Sequence, residues 1–113
     1  MDNQAVAAMW TDDGADLLPG LPPMKGKQAI TDWLNNITNQ LKDTKVTQCD
    51  VEWKSIQVVG DVAYEWGLNS QTVTSAGKDP QRNFGKITLV LRKQKDGSWK
   101  IALESWNSSP PLS

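Results

Sequence analysis

Glu65, Arg92 and Glu104 are the residues of this sequence whose types and spacing could carry acid–base chemistry. Each lies in a stretch of alternating apolar and polar residues, Glu65 in Val62 to Ser75, Arg92 in Asn83 to Lys95 and Glu104 in Trp99 to Asn107. The glutamates therefore stand on segments that flank the one carrying the arginine. If the Asp96-Gly97-Ser98 turn closes a hairpin that pairs Val90 with Glu104, the guanidinium could reach either carboxylate. A carboxylate beside arginine in a partly dry setting stays ionised, and a second one nearby is pushed toward protonation. One proton acceptor and one proton donor would result. The same three side chains could instead form a structural ion cluster or simply be solvated. The absence of histidine from all 113 residues removes Ser-His, Cys-His and histidine-base mechanisms. The lone Cys49 can close no disulfide within the chain and, without histidine, no zinc site, so it is expected as a small buried hydrophobe.

The elements that must position these groups show in the spacing. Val6, Met9 and Trp10 fall at i, i+3 and i+4, which predicts a short helix ending at Thr11-Asp12-Asp13-Gly14. Ala15 to Leu18 can form a short strand, closed by Pro19-Gly20 and Pro22-Pro23. From Gly26 to Lys42, Ile30, Trp33, Leu34, Ile37 and Leu41 make one helical stripe. Four long strands follow, Lys45 to Val59, Val62 to Ser75, Asn83 to Lys95 and Trp99 to Asn107, broken at Gly60-Asp61, Ala76 to Pro80 and Asp96-Gly97. Short connections favour an antiparallel meander, hence an α+β fold with its helices on one face of the sheet. With 12 Lys+Arg against 13 Asp+Glu and no basic run, nucleic acid is not an expected partner. A mean hydropathy of −0.51, and no apolar stretch near the length that spans a bilayer, argue against a membrane partner. No charged and apolar leader is visible at the N-terminus, so the expected location is the cytoplasm. Strand periodicity sorts Tyr64, Trp66 and Leu68, then Ile87, Leu89 and Leu91, then Trp99, Ile101 and Leu103 onto one face. Pattern alone would turn that face toward the helices and the other toward water.

Trp10-Thr11-Asp12-Asp13-Gly14-Ala15-Asp16-Leu17-Leu18-Pro19, Gly26-Lys27-Gln28-Ala29-Ile30, Gly60-Asp61-Val62-Ala63-Tyr64-Glu65-Trp66-Gly67 and Asp96-Gly97-Ser98-Trp99-Lys100-Ile101, followed by Trp106-Asn107-Ser108, are familiar in this order. Together they resemble the SnoaL-like and ketosteroid isomerase-like small proteins of the nuclear transport factor 2-like superfamily. The resemblance covers nearly the whole chain and implies one domain over residues 1–113 with a shortened first helix. The implied fold is a cone-shaped, strongly curved antiparallel sheet wrapped around N-terminal helices, of the cystatin-like kind. It implies a pocket for a small organic molecule, with Glu65, Asn69, Thr88, Val90, Arg92, Glu104 and Trp106 on the concave face. Trp10 and Trp106 would line the cone as flat apolar walls, with Asn69, Thr88 and Val90 as further ligand contacts. Trp33 and Trp99 are expected in the core. The outer face of Tyr64, Trp66, Leu68, Ile87, Leu89, Leu91, Ile101 and Leu103 would be covered by a second subunit, making a homodimer.

Carried across residue by residue, the isomerase base falls at about Leu18 and its acidic donor at about Leu91, and neither side chain can do that work. The polyketide-cyclase branch also leans on an acidic residue, for which Asp16, Glu65 and Glu104 are the candidates. The implied function is binding of an apolar or aromatic small molecule. Its rivals are a lyase, isomerase or cyclase using Glu104 or Glu65 with Arg92, and an oligomerisation module. No cofactor or metal is expected.

Overall fold

The computed structural model describes residues 3–40 and 42–110. It is α+β, with α1 (Asn3–Ala7), β1 (Trp10–Leu17), β2 (Met24–Lys25), α2 (Lys27–Gln40), β3 (Thr44–Val59), β4 (Val62–Ser75), β5 (Gln81–Lys93) and β6 (Trp99–Ser108). The six strands form one curved, unclosed sheet in the order β2-β1-β6-β5-β4-β3. β3 to β6 are the expected antiparallel meander, while β1 runs parallel to β6 and antiparallel to β2. Gly26, at φ 96°, swings the chain out of β2, and its carbonyl accepts the Ile30 N–H at 3.2 Å to open α2. The predicted stripe then lands on the sheet: Ile30 is only 1% exposed and meets Trp10, Leu89 and Ile101, with Leu34, Met24, Ile87 and Leu91 packed around them. Leu41 lies outside the described residues. Asn3 ties α1 to α2 by donating from Nδ2 to Asn35 Oδ1 and Thr38 Oγ1.

Two local expectations are corrected. Trp10 to Gly14 is not a helix end. The Ile101 N–H donates to the Met9 carbonyl at 2.8 Å, Trp10 pairs with Ile101, and Thr11 to Gly14 form an irregularity inside β1 before pairing resumes at Ala15. The helix forms over Asn3–Ala7 but goes no further, because from Met9 on the backbone hydrogen-bonds to the edge of β6 instead. The second correction concerns register. Glu104 pairs with Leu89, not Val90; Val90 pairs with Leu103 and Leu91 with Ile101, so Ala102 is an extra residue on β6. Such a bulge shifts the two-residue period by one, and each strand half keeps its own facing.

The regular β4–β5 register departs from the expected facing as well. Ile87, Leu89, Leu91 and Ile101, expected on the outer face, belong to the helix-covered core, whereas Thr88, Val90 and Arg92, expected inside, share the outer face with Trp66, Tyr64 and Val62. Tyr64, Trp66, Leu68 and Leu103 remain outside, by their pairing with Val90, Thr88 and Lys86. The connection from β5 to β6 runs from Gln94 to Ser98: the Gln94 N–H donates to the Ser98 carbonyl, and Asp96 Oδ1 accepts from both Ser98 N–H and Oγ–H. Helices cover only the β1–β6–β5 end. Over β3, Val51, Trp53, Ile56 and Val58 stay exposed on the side that the register shares with Glu65 and Gly67. Cys49 and Trp99 are exposed too, contrary to their expected burial, because β3 is an edge strand and Trp99 opens β6 at the rim. Among the described residues no helix is long and apolar enough to cross a membrane.

Candidate functional site

A cavity of about 220 Å³ lies between the helices and the β1–β6 end of the sheet. Val6 and Met9 close one side, Ile30, Trp33 and Leu34 of α2 form the roof, and Trp10, Asp16, Ile101 and Glu104 come from the strands beneath. Asp16 and Glu104 are register partners across the parallel β1–β6 pairing and project into the same space. Asp16 is 3% exposed. Its carboxyl contacts that of Glu104 and the Leu17 backbone, and beyond these Oδ1 is buried without a hydrogen-bond donor. Burial raises both acids, and Asp16 raises Glu104 further. Burial, then the charge of Asp16 and its hydrogen bond, push Glu104 up to about 7. Burial also lifts Asp16, partly offset by its hydrogen bonds to Glu104 and to Leu17. The pair therefore shares a proton that it gives up as pH rises through about 7. A group titrating there can donate or accept a proton without a large thermodynamic penalty.

Of the residues singled out in the sequence, the fold brings Trp10, Asp16 and Glu104 together in this cavity. Arg92 is elsewhere. Its Nη1 stands 3.5 Å from Asp13 Oδ2, with the side chain 53% exposed, so it reaches neither glutamate. Thr88 and Val90 are on the opposite face of the sheet. Glu65 does point to the concave side, but Leu89 stands between it and Glu104 in the register, and it lies outside the cavity wall; burial raises its pKa. Trp106 and Asn69 are spent on each other, with the indole Nε1–H donating to Asn69 Oδ1 at 2.7 Å. The indole lies over Gly85, where a Cβ would come within 2.3 Å of its ring. Neither side chain is part of the cavity wall.

Trp33, Leu34, Ile101, Val6 and Met9 were not foreseen as cavity walls. The signal for Trp33 was its place on the helical stripe, which fitted a core residue equally well. A larger and shallower groove of about 640 Å³ runs along the other flank of α2, past Pro22, Pro23 and Asn36, and Asp32 is the one acidic side chain on its wall. With no second titratable group converging there, it has less to offer chemically.

A family model for the SnoaL-like domain matches residues 1–113. No curated protein sequence is similar enough to count as a match. Among solved structures, a ketosteroid isomerase-like protein from Erwinia carotovora atroseptica is 26% identical with a TM-score of 0.82, over 97% of this chain and 83% of that one. An NTF2-like protein with a cystatin-like fold from Novosphingobium aromaticivorans superposes with a TM-score of 0.74 at 20% identity, over 93% of this chain and 68% of the other. A protein from Catenulispora acidiphila, solved in complex with S-DNPA, gives a TM-score of 0.74 at 17% identity, over 94% and 78%. The last two speak for the fold alone.

Proposed function

Because the chain belongs to the SnoaL-like domain family, we propose that it binds a small, largely apolar or aromatic organic molecule in the cavity beneath α2. The observation that carries this is the wall itself: indole and aliphatic side chains from both helices and both strands around two converging carboxyls, the composition expected of a ligand pocket. The Catenulispora protein of the same fold was solved in complex with S-DNPA. A ligand-observed NMR screen of small aromatic compounds tests it. Hits are expected, and they should be lost in Leu34→Trp, which fills the cavity, but kept in Asn36→Ala on the far flank of α2. A screen without hits, or hits indifferent to Leu34→Trp, overturns the proposal.

A second function, proton-transfer catalysis of the isomerase, lyase or cyclase kind, is favoured by the position of Glu104 near neutrality. Here Glu104 acts as acid or base with Asp16 beside it, in the place first expected of Arg92. Glu104→Gln should then cut turnover of a bound neutral compound by about a hundredfold or more while leaving its affinity nearly intact. Unchanged turnover would sink this version and leave binding standing. For assembly, the outer face offers Tyr64 and Trp66, 48% and 46% exposed, beside Leu68 and Leu103. We propose that a second copy of the chain covers it.

A further inference from the structure

The cavity is unbalanced in charge. Its walls hold Asp16 and Glu104 but no Lys or Arg. Two cations of the adjoining elements are engaged elsewhere: Lys27 Nζ is 3.2 Å from Asp12 and Arg92 Nη1 3.5 Å from Asp13. Around Glu104, β1 contributes Asp16, β5 contributes Leu89, and the helices contribute Val6, Ile30, Trp33 and Leu34; the cations of these elements, Lys27 on α2 and Arg92 on β5 among them, are not part of the cavity wall. Glu65 on β4, beyond Leu89, adds a further negative one.

A buried carboxylate without a counter-charge is costly, and an acceptor left without a donor adds to the cost. A neutral, purely apolar ligand would leave Asp16 Oδ1 as unsatisfied as before. An anionic ligand would add repulsion. A ligand with N–H donors and a positive charge answers both needs at once, and the indoles of Trp10 and Trp33 in the wall favour a cation further. The volume, about that of seven waters, limits it to a single small ring or an equivalent branched skeleton.

Resting on the reading of this cavity as a ligand site, we infer that its ligand is a compact organic cation, an amine or amidine protonated at neutral pH and carried on an apolar or aromatic skeleton. Asp16 and Glu104 hold the cationic head, and Trp10, Trp33 and Leu34 hold the body. The shared proton and the cation compete for the same carboxyls, so binding strengthens as the pair loses that proton.

Three probes of matched shape test this by tryptophan fluorescence or ligand-observed NMR: benzylamine, benzyl alcohol and benzoate. Benzylamine is expected to bind about tenfold tighter than benzyl alcohol, with benzoate weakest. Its affinity should rise between about pH 6 and about pH 8, a range in which the amine stays protonated. Asp16→Asn and Glu104→Gln should each cost benzylamine about tenfold while leaving benzyl alcohol within about twofold. Glu104→Gln, which mimics the protonated acid, suffices should Asp16→Asn fail to fold. Equal binding of amine and alcohol, benzoate binding as well as benzylamine, or a preference that survives Glu104→Gln overturns the cation and leaves a neutral-ligand pocket. Failure of all three probes overturns the pocket together with the cation.

Discussion

Glu104 binds its proton more tightly in the folded chain than its ordinary 4.5 would allow, being pushed up to about 7. Between those two values the folded state holds more protons than the unfolded one, so stability falls as pH rises through that window and stays reduced above it. Glu104→Gln removes a charge that the fold resists. It should therefore stabilise the protein by about 3 kcal/mol at about pH 8 and change little at about pH 4. Thermal unfolding at the two pH values checks this, and an equal effect at both would show that Glu104 titrates normally. Arg92 gives the contrasting case, since its partner is Asp13, whose carboxyl is held below its ordinary value by hydrogen bonds from Thr11 and its own backbone and by the guanidinium. Arg92→Ala should leave the titration of Glu104, followed by carboxyl NMR, where it was. A large shift would mean that the guanidinium reaches the cavity after all.

At the scale of the elements, the site depends on places where the strands depart from regularity. The extra residue at Ala102 lets Ile101 and Glu104 both face the cavity although three positions separate them. Further along the same strand pair, the Trp106 indole occupies the space where a side chain at Gly85 would stand, with its N–H held by Asn69. Gly85→Ala must push the indole away and break that bond, at a cost of about 3 kcal/mol. Gly97 also stands in a β5–β6 connection, at φ 88°, but with open space around its Cα, so Gly97→Ala pays only backbone strain of about 1 kcal/mol. Urea midpoints of the two variants should fall in that order. The reverse order would show that Trp106 does not need Gly85.

For the whole molecule, the question is what covers the apolar surface that the helices leave open. Val62, Tyr64 and Trp66 form a cluster on the outer face, away from the cavity. A second copy there would bury it, and self-complementary contacts of this sort are the commonest route to a dimer. Sedimentation should find a dimer that Trp66→Glu converts to a monomer with its circular dichroism unchanged. A wild-type monomer would exclude the contact. Leu89, which strict alternation placed on that face, is buried in the core, so a charge there should unfold the chain rather than dissociate it.

Element types were legible from local spacing. The stripe of Ile30, Trp33, Leu34 and Ile37 fixed α2, and alternation with glycine breaks fixed β3 to β6, because helix and strand periods are properties of consecutive residues. The acidic character of the site was legible as well, in Asp16 and Glu104. Facing and partnership were not. One bulge at Ala102 exchanged the faces of β5 relative to Glu104, and the parallel pairing of β1 with β6 supplied Asp16 as the partner that spacing had assigned to Arg92. A single inserted residue leaves almost no mark on composition or periodicity, yet it inverts which side chains meet. Long-range hydrogen bonding alone decides where it falls.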